Sequence, residues 1–286
     1  MIRLIFEAAV RSLGFTARIE RVMLMRRFAA FTLLLGLTSC VSIVPPRGVG
    51  VMSDYFHWQD VDGAKGWVVI LPGSSGLTVL DDERHYFDAA DALNAQGWNV
   101  LLVDYKPAYR AAMDAPGGDT GEKIAWVTER AIAWMIGNRP EMGAVPGAVV
   151  AWSLGAEGAL YLANDRAALE STGIRSIAMY YPSIPGKFQL DNHVPLLILT
   201  GESDDVTPVV DVNALVAGQR SGAKDIELHT YPNAHHGFDV ASIQEEKTVR
   251  MLPLVGPSAT LHYNADAATD AADKLAAFLG RSAGSP

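Results

Sequence analysis

Residues 148–159 read AVVAWSLGAEGA, and this stretch decides which fold the rest of the chain is expected to form. Its first apolar residues predict a buried strand, and the alanine-rich residues that follow have good helix propensity. Ser153 lies at the junction, between Ala151 and Gly155. A nucleophile elbow has this layout, because its sharp turn needs small residues two positions before and two positions after the nucleophile. Alanine replaces the first glycine of G-x-S-x-G, so the stretch taken alone also fits a plain serine-glycine turn.

Further strands and helices are predicted to alternate on both sides of this stretch. Apolar runs predict strands at residues 67–71, 98–104, 176–180, 196–200 and 226–231. Helical spacing predicts helices at residues 81–96, 122–136, 154–164, 209–217 and 267–279, and residues 105–121 are predicted to form a loop over the sheet edge. Strict alternation requires right-handed crossovers. The sequence therefore predicts an α/β fold whose mainly parallel, doubly wound sheet is covered by helices on both faces.

Two loops farther along the chain carry the partners that a serine nucleophile needs. Residues 201–208 read GESDDVTP after one predicted strand, and residues 232–239 read PNAHHGFD after another. A serine hydroxyl needs an imidazole that takes its proton, and the imidazole needs a carboxylate that fixes its tautomer. The order serine, aspartate, histidine, each just after a strand, is the order of the α/β-hydrolase fold. Position alone leaves Asp204 or Asp205 as the acid, and His235 or His236 as the base.

Taken together, these motifs resemble the dienelactone hydrolase-like family of α/β hydrolases. The resemblance covers residues 66–279. It rests on LPGSSGL at 71–77, WSLG at 152–155, the two loops described above, and YNADAA at 263–268. It implies an α/β-hydrolase fold and a hydrolase that needs no cofactor.

The resemblance also selects among the candidate residues. In this family the catalytic acid lies four residues before the proline, which selects Asp204, and the catalytic histidine precedes a small residue and phenylalanine, which selects His236. With Ser153 these residues would form the catalytic triad. The backbone N–H groups of Leu154, and of Ser74 or Ser75, would hold the oxyanion.

The sequence departs from the family at two positions. Ser153 stands where dienelactone hydrolase itself has cysteine, and Pro72 stands where a histidine usually precedes the oxyanion glycine. The serine argues against a dienelactone substrate and leaves simple ester or peptide acyl transfer open. We therefore expect a serine hydrolase that cleaves carboxylic esters or related acyl bonds of a small molecule. A peptidase is one alternative, and a non-catalytic envelope binding or assembly factor similar to VirJ is another.

The remaining histidines do not predict a metal site. They are scattered, without an i, i+4 pair and without a cysteine partner. These residues are His57, His85, His193, His229 and His262. Neither a metal nor any other cofactor is therefore expected.

The first 39 residues have the features of an export signal. Arg26 and Arg27 precede a short apolar run and the sequence LTSC, which ends at Cys40. This ending resembles a bacterial lipobox, and Cys40 is the only cysteine of the 286 residues. We expect residues 1–39 to be a leader, with translation starting at Met23 or Met25, and Cys40 to carry a lipid anchor. The protein would then face the periplasm from a bacterial membrane, with the anchor as its only membrane contact.

The rest of the chain is predicted to form one acidic domain. Residues 40–62 would lead from the anchor as a tether, residues 63–281 would form a single α/β-hydrolase domain, and residues 282–286 would be a tail. The whole chain has a net charge of −9, and removing residues 1–39 takes away six arginines and two glutamates. Such an acidic body argues against nucleic acid as a partner.

Overall fold

A mainly parallel sheet forms the centre of the computed structural model, which describes residues 51–250 and 258–284. Its strands are β1 (Phe56–Gln59), β2 (Trp67–Leu71), β3 (Asn99–Val103), β4 (Gly147–Trp152), β5 (Ile174–Tyr180), β6 (Leu196–Gly201) and β7 (Ile226–Tyr231). Their order across the sheet is β1-β3-β2-β4-β5-β6-β7, and only β1 runs antiparallel to its neighbour. The predicted α/β fold with a mainly parallel sheet is confirmed.

Helices cover both faces of this sheet. They are α1 (His85–Ala95), α2 (Tyr105–Ala111), α3 (Thr120–Asn138), α4 (Leu154–Asn164), α5 (Arg166–Thr172), α6 (Val209–Ala217) and α7 (Ala265–Ala283). Successive strand residues point to opposite faces, so the fully buried β2 contributes Val69 and Leu71 to one core and Val68 and Ile70 to the other. Helices α1 and α7 pack on the second core, and the other helices pack on the first.

A second, antiparallel sheet lies beside the carboxyl end of the large one. It pairs β8 (Lys247–Arg250) with β9 (Ser258–Leu261). An isolated bridge connects Leu261 to His236, so this small sheet contacts the loop that follows β7. Neither strand was predicted from the sequence, because each has only four residues and neither contains a continuous apolar run.

The predicted loop at residues 105–121 is wrong in its first part, where helix α2 forms. Pro107 is the third residue of this helix, and proline is tolerated in the first helical turn, where N–H groups have no intrahelical partner. Tyr105, Ala108 and Ala111 are buried along one side of the helix. Burial of these residues stabilises the helix, although the proline in its sequence is a signal against a helix.

The predicted boundaries also differ from the structure elsewhere. Helix α1 begins at His85 rather than at residues 81–82, although the Asp82 carboxylate, one of the two predicted caps, accepts hydrogen bonds from the backbone N–H groups of Arg84 and His85 where the helix starts. Strand β1 lies inside the predicted tether at residues 40–62 and pairs with β3. Helix α7 continues to Ala283, two residues into the predicted tail.

The predicted leader, Cys40 and the first part of the tether lie outside the described residues. Among the helices that the structure describes, none is long and apolar enough to cross a membrane.

Candidate active site

Ser153 occupies a strained turn between β4 and α4. Its backbone angles are φ 48° and ψ −116°, a conformation that costs a non-glycine residue about 1–3 kcal/mol. Two hydrogen bonds hold the turn in place: the Ser153 N–H donates to the carbonyl of Tyr180 at 3.0 Å, and the Ser153 carbonyl accepts from the Ser183 N–H at 3.0 Å. The turn directs the hydroxyl out of the sheet at the carboxyl end of β4.

Gly155 allows helix α4 to start against the end of β2. A Cβ atom at this position would lie 2.4 Å from the carbonyl oxygen of Pro72 and 2.6 Å from that of Leu71. These contacts involve backbone atoms, which cannot move aside as a flexible side chain can. Ala151, which replaces the first glycine of the motif, is fully buried in β4 beside Leu71.

Ser153, His236 and Asp204 form one chain of hydrogen bonds at the carboxyl ends of strands β4, β7 and β6. His236 Nε2 lies 3.0 Å from Ser153 Oγ, and His236 Nδ1 lies 2.8 Å from Asp204 Oδ2. Because the carboxylate accepts the proton of Nδ1, Nε2 is left as an acceptor for the serine hydroxyl. The arrangement can deprotonate Ser153 and stabilise the imidazolium that results.

The Asp204 carboxylate is fully buried, and its surroundings keep it ionised. Its Oδ1 accepts the backbone N–H groups of Val206 and Thr207, both at 2.8 Å, and its Oδ2 also accepts the Thr207 hydroxyl at 2.9 Å. Burial alone would raise the pKa of Asp204. The hydrogen bond and charge of His236, together with the backbone donors, outweigh burial and hold the pKa below its usual value.

The neighbouring residues Asp205 and His235 point elsewhere. Asp205 accepts the backbone N–H of Thr260 in β9 at 2.9 Å. The ring of His235 lies 6.4 Å from that of His262, and its buried Nδ1 has no hydrogen-bond partner among the described residues. The structure thus brings Asp204 and His236 to Ser153, and it brings neither of their neighbours.

The loop after β2 lies directly beside Ser153. A Cβ atom on Gly73 would lie 3.4 Å from the Cβ atom of Ser153. The Gly73 N–H donates to the Tyr86 hydroxyl at 2.9 Å, so it has a partner already, whereas Ser74 and Ser75 are exposed and line the cavity in front of Ser153. Leu154 begins helix α4, where the geometry of a helix leaves its N–H without an intrahelical acceptor. These positions suit the predicted oxyanion donors.

Three side chains from helices α1 and α2 hold this loop. The Tyr105 hydroxyl donates to the Gly73 carbonyl at 3.1 Å, and Lys106 donates to the Ser74 carbonyl. Together with the Tyr86 hydroxyl, which accepts the Gly73 N–H, these groups hold the backbone of Gly73 in place. Burial raises the pKa of both tyrosine hydroxyls above their usual range, so they stay protonated. No sequence motif indicates that these residues hold the loop, because each lies on a helix that is separate from the loop in sequence.

A cavity of about 170 Å³ opens onto Ser153 and His236. Seven of its fifteen lining residues are aliphatic: Val79, Leu80, Val206, Val240, Ile243, Val249 and Leu261. Within the part of the chain that the structure describes, no aspartate, glutamate, lysine or arginine lines it. Among the described residues, no group of three histidine, cysteine, aspartate or glutamate side chains could hold a metal ion.

Comparison with known proteins identifies relatives among the hydrolases. The family whose sequence model matches residues 65–283 is described as the dienelactone hydrolase family. Esterase LipQ of Mycobacterium tuberculosis is 27% identical over 269 residues, an alignment that covers 78% of this chain and 61% of that protein. The chain therefore spans about three fifths of the length of this curated relative.

Solved structures with the same architecture are also similar. A dienelactone hydrolase-like promiscuous phosphotriesterase from metagenomic libraries has a TM-score of 0.56 at 18% identity, covering 79% of this chain and 90% of its own. Esterase 2 of Thermogutta terrifontis has a TM-score of 0.54 at 12% identity, covering 79% of this chain and 88% of its own. At these identities the likeness establishes the α/β-hydrolase fold.

Proposed function

Because the chain belongs to the dienelactone hydrolase family, we propose that this hydrolase is a serine esterase that cleaves small carboxylic esters through an acyl-enzyme. The observation that carries the proposal is the hydrogen-bonded chain from Ser153 Oγ through His236 to Asp204. The likeness to esterase LipQ supports an ester as the substrate.

In the proposed reaction, the Ser153 oxygen attacks the ester carbonyl while His236 Nε2 takes the hydroxyl proton. The N–H groups of Leu154 and of Ser74 or Ser75 donate to the oxyanion that forms. When the tetrahedral intermediate collapses, the carbon–oxygen bond of the ester breaks and His236 gives its proton to the departing alcohol. Water, deprotonated by His236, then attacks the acyl-enzyme and releases the carboxylic acid and free Ser153. Asp204 orients the imidazole throughout.

Two features favour an enzyme over a binding protein on the same scaffold. The cavity over Ser153 is open, so a substrate carbonyl can approach the hydroxyl. The Asp204 carboxylate is directed at His236, an arrangement that binding alone does not require.

The test is labelling and turnover by the intact protein. We expect a fluorophosphonate probe to label Ser153 and nitrophenyl acetate to be hydrolysed, with both signals lost in Ser153→Ala and turnover lost in His236→Ala. Asp205→Asn is the matched control, because Asp205 is the neighbour that does not contact His236, and it should keep both signals. A folded wild-type protein that neither labels nor hydrolyses the ester would disprove the proposal.

We further propose that the protein is exported and lipid-anchored at Cys40. The proposal rests on the leader-like sequence that ends in LTSC. Membrane fractionation of cells that express the full chain, or its Cys40→Ser variant, tests it. Loss of membrane association in the variant is expected, and an equal distribution of the two proteins would contradict the anchor.

A further inference from the structure

The carboxylate of Asp239 lies behind the active site, three residues after His236. Its Oδ2 accepts the indole N–H of Trp152 at 2.6 Å, and its Oδ1 accepts the hydroxyl of Tyr181 at 2.7 Å. Only 11% of the Asp239 side chain is exposed. A buried carboxylate is costly unless its oxygens are hydrogen-bonded, and these two donors provide that compensation.

The two donors are the residues that flank the reacting groups. Trp152 immediately precedes Ser153, and its indole is stacked on Tyr180 with ring centroids 5.0 Å apart. The ring of Tyr181 lies 4.4 Å from the ring of His236 and forms part of the cavity wall. The Asp239 carboxylate therefore links strand β4, which leads into Ser153, to the Tyr181 ring, which packs against His236.

Tyr181 needs such a restraint because its backbone is strained. Its φ is 35°, and it is a residue type that rarely adopts positive φ. Its N–H donates to the Leu199 carbonyl at 2.7 Å, and its carbonyl oxygen lies 3.1 Å from the Thr207 hydroxyl oxygen. Burial and the charge of Asp239 hold the pKa of the Tyr181 hydroxyl well above its usual range, so the hydroxyl remains a donor.

We propose that Asp239 is a positioning residue for the reaction: its hydrogen bonds to Trp152 and Tyr181 keep Ser153 and His236 in register. The inference rests on the proposed function. Asp239 does not touch the reacting atoms, and it acts through the indole and the phenol. Its loss lowers kcat, because the distance between Ser153 Oγ and His236 Nε2 is no longer fixed, and it leaves KM for a small ester nearly unchanged.

A second cavity makes the proposal testable by chemical rescue. This cavity has a volume of about 240 Å³, lies between α1 and α7, and is lined by Asp239 and by His85. The Nε2 atom of His85 lies 3.7 Å from Asp239 Oδ2 and has no hydrogen-bond partner among the described residues. The Asp239→Ala substitution removes the carboxyl group, and the space that it leaves is continuous with this cavity. Formate can therefore reach the Trp152 and Tyr181 donors from solvent.

The experiment measures kcat and KM for nitrophenyl acetate in Asp239→Ala, Asp239→Asn and Tyr181→Phe. We expect kcat to fall by about tenfold or more in Asp239→Ala, as for the loss of hydrogen bonds to a charged group. The kcat of Tyr181→Phe should fall less, because the hydrogen bond from Trp152 to Asp239 remains. Asn can accept from Trp152 and donate to the Tyr181 oxygen, so Asp239→Asn should retain most of kcat. Formate should raise kcat of Asp239→Ala, and chloride at equal ionic strength should not.

Tyr231→Phe is the matched control. It also removes a tyrosine–aspartate hydrogen bond, from a buried tyrosine to Asp270 at 3.0 Å, but on β7 away from Ser153. It should lower stability without changing kcat. Given an active wild-type protein, either of two results would overturn the inference. In the first, Asp239→Ala keeps the wild-type kcat. In the second, Asp239→Ala loses kcat, formate does not restore it, and Asp239→Asn shows the same loss. A wild-type protein that neither labels nor turns over would remove the proposed function, and this inference with it.

Discussion

At the scale of single residues, Asp204 and Asp205 have the same side chain but different roles in the structure. We expect Asp204→Asn to lower kcat by roughly 10³–10⁴-fold, because the amide no longer fixes the His236 tautomer. Asp205→Asn should keep nearly full activity, since Asp205 contacts only the Thr260 N–H near the site. Ester hydrolysis by the two purified variants checks this, and equal losses in both would contradict the assigned acid.

The surroundings of Asp204 also predict how stability depends on pH. Its pKa in the folded protein lies below the unfolded value of about 3.9. A lowered folded pKa contributes stability that is present above the unfolded pKa and is lost as pH falls through the folded pKa. The stability advantage of wild type over Asp204→Asn should therefore shrink below about pH 4. Urea unfolding followed by tryptophan fluorescence measures it, and a difference that stays constant below that pH would refute the expectation.

At this scale, only part of the site was predictable from the sequence. Ser153, Asp204 and His236 carry local signals, since each follows a strand within a short motif. Tyr86 and Tyr105 carry none, because their roles come from a long-range contact with Gly73 that only the folded chain creates. The same holds for Asp239, whose partners are 58 and 87 positions away in sequence.

At the scale of elements, the start of helix α4 against β2 depends on the absence of a side chain at residue 155. We expect Gly155→Ala to lower the free energy of unfolding by about 1–3 kcal/mol, because its methyl group meets two backbone carbonyls. It should also lower kcat, since the displaced helix carries the Leu154 N–H. Denaturant unfolding and ester hydrolysis check both effects.

Gly280→Ala is the control for this substitution. Gly280 lies on the exposed side of α7, and a Cβ atom there meets nothing within 4 Å. Helix propensity predicts a gain of up to about 1 kcal/mol in the free energy of unfolding. A destabilisation as large as that of Gly155→Ala would show that the close approach at β2 is not the cause.

The buried strands and long helices were predictable because their apolar runs are unambiguous. Strands β2 to β7 are each close to their predicted positions. Strand β1, with the sequence FHWQ, lacks such a run, because it lies at the sheet edge and three of its four residues are only partly buried. Helix α2 was missed for the opposite reason: its buried side is real, but Pro107 is a local signal against a helix.

At the scale of the whole molecule, the cavity over Ser153 is assembled from segments that are distant in sequence. Its small volume and aliphatic wall predict a preference for short, uncharged acyl groups. We expect kcat/KM to be highest for acetate and butyrate esters and to fall for decanoate. A series of nitrophenyl esters measures this preference, and equal values along the series would contradict it.

One substitution should change this preference. Ile243→Ala removes a buried side chain from the cavity wall. It should raise the ratio of kcat/KM for longer esters to kcat/KM for shorter esters by about tenfold, because one or two methylene groups of pocket contact are worth about 1–3 kcal/mol. Val210→Ala is the matched aliphatic truncation at an exposed position of α6, and it should leave the ratio unchanged.

Helix α7 follows every strand of the large sheet in the sequence, yet together with α1 it covers one of the two cores of that sheet. A ribosome that adds about 5–20 residues per second needs roughly three to ten seconds to pass from β7 to the end of α7. During that time the face that carries Val68, Ile70 and Leu197 has no cover from α7. The nascent chain therefore offers chaperones an apolar surface until α7 has been made, and a chain released before α7 keeps that surface exposed.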